Sequence, residues 1–166
     1  MSTRALPELD SRIPTRKLGM AWVLLCLALA VHVTDEAATG FLSVYNPTVL
    51  ALRDRFGYWP MPTFGFRQWL IGLIAAVVIL LALSPFVFHG SQWIRPLFYF
   101  FAALMFANGM GHTAGTIFGR SVSSVHFPRP MPGFYSSPLL FAASIYGLLQ
   151  LRNTRGRDLQ KESTSA

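Results

Sequence analysis

The stretch LGMAWVLLCLALAVHVTDEAATG, Leu18 to Gly40, decides how this chain is read. It is apolar from Leu18 to Val33 with the exception of His32, and it then sets Asp35 and Glu36 within one turn of that histidine. An apolar run of about 18 residues or more is long enough to cross a hydrocarbon core of roughly 30 Å. It must do so as a helix, because only a helix satisfies its own backbone in lipid. The apolar part is longer than the roughly 7–15 residues of a signal-peptide core, and an ionisable cluster stands where a small-residue cleavage site would be, so we read it as a retained span. Ionisable groups in a span are unfavourable in hydrocarbon, face the bundle interior and mark function.

Three further runs resemble the first. Trp69 to Phe88 holds no ionisable group before His89, Pro96 to Phe118 is broken by Asn108, His112 and two Thr, and Phe134 to Leu151 carries several Ser. With 52% hydrophobic and 13% charged residues in a chain of 166, little is left for a soluble domain. The expectation is an all-α fold, a four-helix transmembrane bundle with spans near 18–39, 68–88, 94–118 and 134–151. Residues 1–17 form a loose cytoplasmic tail and 152–166 a polar, disordered C-terminal tail. Asn46 followed by Pro47 is a helix-start signal, with a capping side chain and proline at the first helical position. It predicts a short interfacial helix over Thr48 to Phe56 in the first loop.

The net charge of +7 is a topology signal and not a nucleic-acid signal. Basic residues gather at span ends, where cytoplasmic Lys and Arg fix orientation. Arg4, Arg12, Arg16, Lys17, Arg95, Arg152, Arg155, Arg157 and Lys161 fall on one side, and Arg53, Arg55, Arg67, Arg120 and Arg129 on the other. This bias predicts an integral membrane protein with both termini cytoplasmic, in the cell inner membrane if the source is bacterial. Its expected partners are the bilayer and a hydrophobic small molecule, with no nucleic acid; the small residues of the third span also suit a homo-oligomer interface. Cys26, the sole cysteine, reads as a small core hydrophobe.

In any four-span alternation the first and third spans are parallel, so their C-terminal halves share one side. His32 and Glu36 are four residues apart, and so are Asn108 and His112, each pair presenting two polar groups about 6 Å apart on one helix face. Facing each other, they make a cluster of two imidazoles, an amide and one or both carboxylates, with Glu36 the acid expected to turn inward. Tyr135 flanks the same side as a supporting residue, with Asp35 and Asn108; His126 reads as a loop residue and His89 as interfacial. Two imidazoles and a carboxylate at His32, Glu36 and His112 suit one divalent metal, zinc or iron, with a position open for water or substrate. The catalytic reading is a membrane-embedded enzyme in which Glu36, His32 and His112 act on a lipid or other hydrophobic molecule, metal-dependent hydrolysis standing slightly ahead of metal-free acid–base isomerisation. The non-enzymatic alternative is a lipid-binding or accessory membrane protein.

With HVTDE at 32–36, NGMGH at 108–112 and the Pro132–Gly133 step in view, the sequence resembles the HXXEE-domain family of small integral membrane proteins over roughly residues 18–150. The first acid of the pattern is here Asp35, and Glu36 matches directly. The resemblance implies a multi-span membrane domain and no particular activity. The His32–Glu36 spacing is also similar to that of sterol isomerases of the emopamil-binding class, which use buried acids to migrate double bonds.

Overall fold

A computed structural model describes the backbone of residues 5–120 and 125–165, and the side chains of 15–120 and 125–154. Part of the proline-rich loop, 121–124, and the side chains of Arg4, Arg12, Arg155, Arg157 and Lys161 lie outside the described residues. Among the described residues the fold is all-helical: α1 Ala5–Thr39, α2 Leu42–Phe56, α3 Phe66–Ala82, α4 Ser84–Phe88, α5 Ile94–Phe118 and α6 Ser137–Ser165.

Side-chain contacts fix the directions of the helices. Trp22, midway along α1, meets Phe98 and Phe101 of early α5, while His32 near the end of α1 meets His112 late in α5. The two helices are therefore parallel. The Trp22 indole donates to the carbonyl of Leu80 near the end of α3, whereas Trp69 at the start of α3 packs on Phe41, just past α1. Hence α3 runs back along α1. Phe106 and Gly109 meet Phe141 near the start of α6, and Phe98 lies against Gly147 further along it, so α6 runs back along α5. The result is an up-down-up-down bundle, with Trp22, Leu25, Cys26, Phe98, Ala102 and Leu140 at its centre. Gly109 allows the α5–α6 approach, since a Cβ there would come within 3.2 Å of the Phe141 ring.

Element boundaries depart from expectation in four places. The first tail is helical from Ala5. Pro7 falls in the first turn, where a missing N–H is tolerated, and extending an existing helix adds one hydrogen bond per residue without a new nucleus. The C-terminal tail is likewise helical through Ser165, since Arg, Gln, Lys, Glu and Leu propagate a helix well. The second span breaks at Leu83, just ahead of Pro85, which has no N–H to donate. The first-loop helix begins at Leu42 and takes Pro47 into its interior. Asn46 is no cap: its amide is spent on both backbone groups of Phe64, donating to the carbonyl at 2.9 Å and accepting from the N–H at 3.0 Å, which ties the 57–65 loop to α2.

Two helical stretches, Thr15–Thr39 and Phe66–Phe88, are long and apolar enough to cross a membrane. They differ in burial. The first is largely enclosed by its neighbours, whereas only 11% of the apolar window of the second is buried. Ile71, Ile74, Val78 and Ile79 stand exposed on α3 with no polar face opposite them. α5 and α6 fall short of the same apolarity because Asn108, Gly109, Gly111 and His112, and Ser137, Ser144, Gly147 and Gln150, dilute them.

Candidate functional site

The i, i+4 geometry places Glu36 one turn beyond His32 on the face of α1 that looks into the bundle, and all three of His32, Glu36 and His112 are buried. Glu36 Oε1 lies 3.4 Å from Nε2 of His32 and 3.1 Å from Nε2 of His112. The two imidazoles cross nearly edge to face with centroids 4.7 Å apart. One donor atom from each residue falls within 4.8 Å of the others, so this buried cluster could hold a metal ion.

Spacing supports that statement. Ligand bonds of about 2.0–2.1 Å at tetrahedral angles separate neighbouring donor atoms by roughly 3.3 Å. The two Glu36 contacts bracket that figure.

Proton positions support it further. Nδ1 of His112 is 2.5 Å from the carbonyl oxygen of Pro132, which can only accept, so Nδ1 carries the proton. Nε2 is then the ring nitrogen that faces Glu36. His32 is arranged the same way: Nδ1 is 2.7 Å from Ser136 Oγ, and Nε2 is 3.1 Å from the Asn108 amide nitrogen, a donor. Two imidazole nitrogens and a carboxylate oxygen thus converge on one point, a donor set that could hold a cation. A metal-bound histidine that donates its second nitrogen to a carbonyl or other acceptor is the usual way a protein fixes such a ligand.

The segment Met131–Ser137 builds one wall. Its backbone is stitched to α5 through Met131 N–H to Thr116 Oγ1 (3.0 Å) and to α1 through Gly133 N–H to Thr39 Oγ1 (3.2 Å). Gly133 adopts φ +83°, and a Cβ on it would lie 2.7 Å from Cε1 of His112 and 3.0 Å from Cγ of Glu36. Only a glycine lets the chain turn there and pass so close to both.

Beside Asn108 and His112 opens a recess of about 250 Å³, closed by Phe41, Val44, Tyr45, Thr48, Phe127 and Met131. Phe41 packs at a tilt of 51° against the His112 ring, centroids 5.5 Å apart, and carries α2 against the site. The Tyr45 hydroxyl donates to the Pro62 carbonyl, and burial pushes its pKa above the ordinary value against the pull of the Arg53 charge, which keeps it a neutral donor.

Of the residues expected from sequence, His32, Glu36, His112 and Asn108 come together. Asp35 turns the other way, and its Oδ2 takes both the N–H and the hydroxyl of Ser136 at 2.8 Å. Tyr135 does not join the site: it is 69% exposed and borders an outer groove with Val31, Thr34 and Ala38. In the tight turn that opens α6, neighbouring residues point to opposite sides, so Ser136 faces in where Tyr135 faces out. His126 is exposed and pairs by a backbone bridge with Arg120, and His89 is exposed with Nδ1 on the Pro85 carbonyl. Ser136, Gly133 and Pro132 are the residues that sequence reasoning did not assign to the site by role; the proline–glycine step was the one trace of them. No family model, curated protein or solved structure matches the chain.

Proposed function

We propose that this protein is a four-span integral membrane enzyme in which His32, Glu36 and His112 hold one divalent zinc or iron ion and carry out hydrolysis of a lipid or other hydrophobic small molecule. The observation that carries the reading is the convergence of two imidazole nitrogens and a carboxylate oxygen at ligand spacing inside an apolar bundle. When bound, such an ion supplies Lewis acidity toward a carbonyl or phosphoryl oxygen and water activated at neutral pH. The resemblance of HVTDE and NGMGH to the HXXEE-domain family is in keeping with a multi-span fold and rests on those residues alone.

The chain's own groups divide the remaining work. Pro132 and Ser136 hold the two rings by Nδ1, so neither can rotate away from Glu36. The recess takes the apolar part of the substrate against Phe41, Val44, Phe127 and Met131. Asn108 borders both the recess and His32 Nε2, so its amide can transfer from the ring nitrogen to a substrate oxygen. The surrounding helices keep bulk water from the reacting bond. α1, α3 with α4, α5 and α6 form the four crossings, with both termini cytoplasmic. The apolar exposed residues of α3, together with Phe100 and Ile117 of α5 and Ile145 and Leu149 of α6, form the lipid-facing belt.

Metal analysis of protein purified in detergent tests the centre: zinc or iron near one per chain is expected in wild type and little in His112→Ala. Active wild type without either metal would sink the metal-dependent mechanism and leave acid–base isomerisation by Glu36. Turnover of a membrane lipid extract by wild type and Glu36→Gln tests catalysis; identical product profiles would leave a lipid-binding protein.

A further inference from the structure

Behind His32 stands a second carboxylate that the proposed chemistry does not use. Asp35 Oδ2 accepts from both the N–H and the hydroxyl of Ser136, each at 2.8 Å, and the hydroxyl oxygen is 2.7 Å from Nδ1 of His32. A hydroxyl has one proton to give. Its candidate acceptors here are the Asp35 carboxylate at 2.8 Å, neutral Nδ1 of His32 at 2.7 Å and the Gly133 carbonyl at a longer 3.2 Å, which also accepts from Ser137 Oγ. A hydrogen bond to an ionised acceptor is roughly twice as strong as a neutral one. The proton therefore goes to Asp35, and Ser136 Oγ meets His32 as an acceptor. In the neutral ring that places the proton on Nδ1 and not on Nε2. The Asn108 amide, donating to Nε2 from the other side, agrees independently.

We propose that Asp35 and Ser136 are positioning residues: a carboxylate–hydroxyl relay that sets the tautomer and orientation of His32 and so tunes metal affinity at the centre. The use made of it rests on the metal reading above; the relay itself does not. It explains why two adjacent acids are present. Glu36 supplies the donor atom, and Asp35, about 100° round the helix, holds the ring that faces it. The same geometry argues against Ser136 as a nucleophile. Its hydroxyl and its N–H are both committed to Asp35, and the carboxylate beside Oγ would repel a developing oxyanion. His112 has the simpler form of the device, a backbone carbonyl at Pro132.

Nitrogen-15 NMR of histidine-labelled, metal-free protein in detergent reads the His32 tautomer directly, and Zn²⁺ titration calorimetry reads affinity. Wild type should show the proton on Nδ1. Ser136→Ala removes the acceptor and should move population to the Nε2–H form and weaken Zn²⁺ binding by about 10–100-fold, the usual range for an outer partner of a ligating histidine. Asp35→Asn should do the same to a smaller degree, and Ser136→Thr, which keeps the hydroxyl, should restore both readouts. Circular dichroism confirms that each variant is folded. Should Ser136→Ala keep the wild-type tautomer, or an alkyl fluorophosphonate label Ser136, the relay is overturned. A wild type that binds no Zn²⁺ while Ser136→Ala still shifts the tautomer would remove the metal reading and keep the relay.

Discussion

Glu36→Gln keeps the shape of the side chain and replaces the anionic oxygen between two imidazoles with a neutral amide. The expected outcome is a loss of Zn²⁺ affinity beyond the roughly 10–100-fold of an outer-partner variant, with little change in thermal unfolding, measured on one detergent-purified sample by calorimetry and circular dichroism. Gly133→Ala makes a different demand. It forces a Cβ onto a backbone at φ +83° and against the His112 ring. It should destabilise by about 1–3 kcal/mol and lower metal occupancy. Gly40→Ala, at φ +77° with nothing within 4 Å, is its control, with strain alone and the metal retained. The sequence carried the core of this site because helix periodicity is rigid: His32 with Glu36 and Asn108 with His112 share faces, whereas either acid could meet His32 by spacing, and Glu36, a full turn away, is the favoured one. It did not carry Ser136, since no periodicity applies to a turn, and Tyr135 was the more conspicuous of two neighbours that point in opposite directions.

At the scale of the elements, the apolar runs located the whole of α5, the end of α1 and the start of α3 to within a few residues, because a long apolar run is visible directly in hydropathy. The remaining boundaries were less legible. Asn46–Pro47 looks like a cap in isolation, yet Asn46 is used for a longer-range contact with Phe64 that local pattern cannot show. The polar tails look like disorder by composition, yet each continues a helix already nucleated by its neighbour. Packing between α5 and α6 uses small residues that let aromatic rings approach closely, Gly109 against Phe141 and Gly147 against Phe98. Gly109→Val pushes a branched side chain toward Phe141 and the Ser137 carbonyl and should lower stability by about 1–3 kcal/mol. Gly72→Val on α3, where a Cβ meets nothing within 4 Å, should leave it unchanged. Unfolding of both variants in mixed micelles, followed by circular dichroism, makes the comparison.

Across the whole molecule, polarity is unevenly placed: the buried histidines and the buried carboxylate among the described residues gather at one end of the bundle. This is why α5 is less apolar than a plain span. The glycines and polar groups that dilute it are those that admit Phe141, Met131 and the His112 ring to its surface. A pore would distribute such groups along its length, so the gradient fits a site approached from one side. It also fixes a topological expectation. The α2–α3 loop and the α4–α5 turn lie at opposite ends of the bundle, and in the orientation proposed above from the positive-inside bias the second would be cytoplasmic. Because Cys26 is the only cysteine and is fully buried, a Cys26→Ser background makes single-cysteine mapping clean. Tyr58→Cys and Gln92→Cys, both at exposed positions, should then part company. A membrane-impermeant maleimide added to intact cells should label the first and reach the second only after the membrane is opened. The reverse pattern would invert the orientation and keep the four crossings. Labelling of both in intact cells would mean that α3 and α4 do not cross the bilayer at all, and the membrane-embedded site would fall with them.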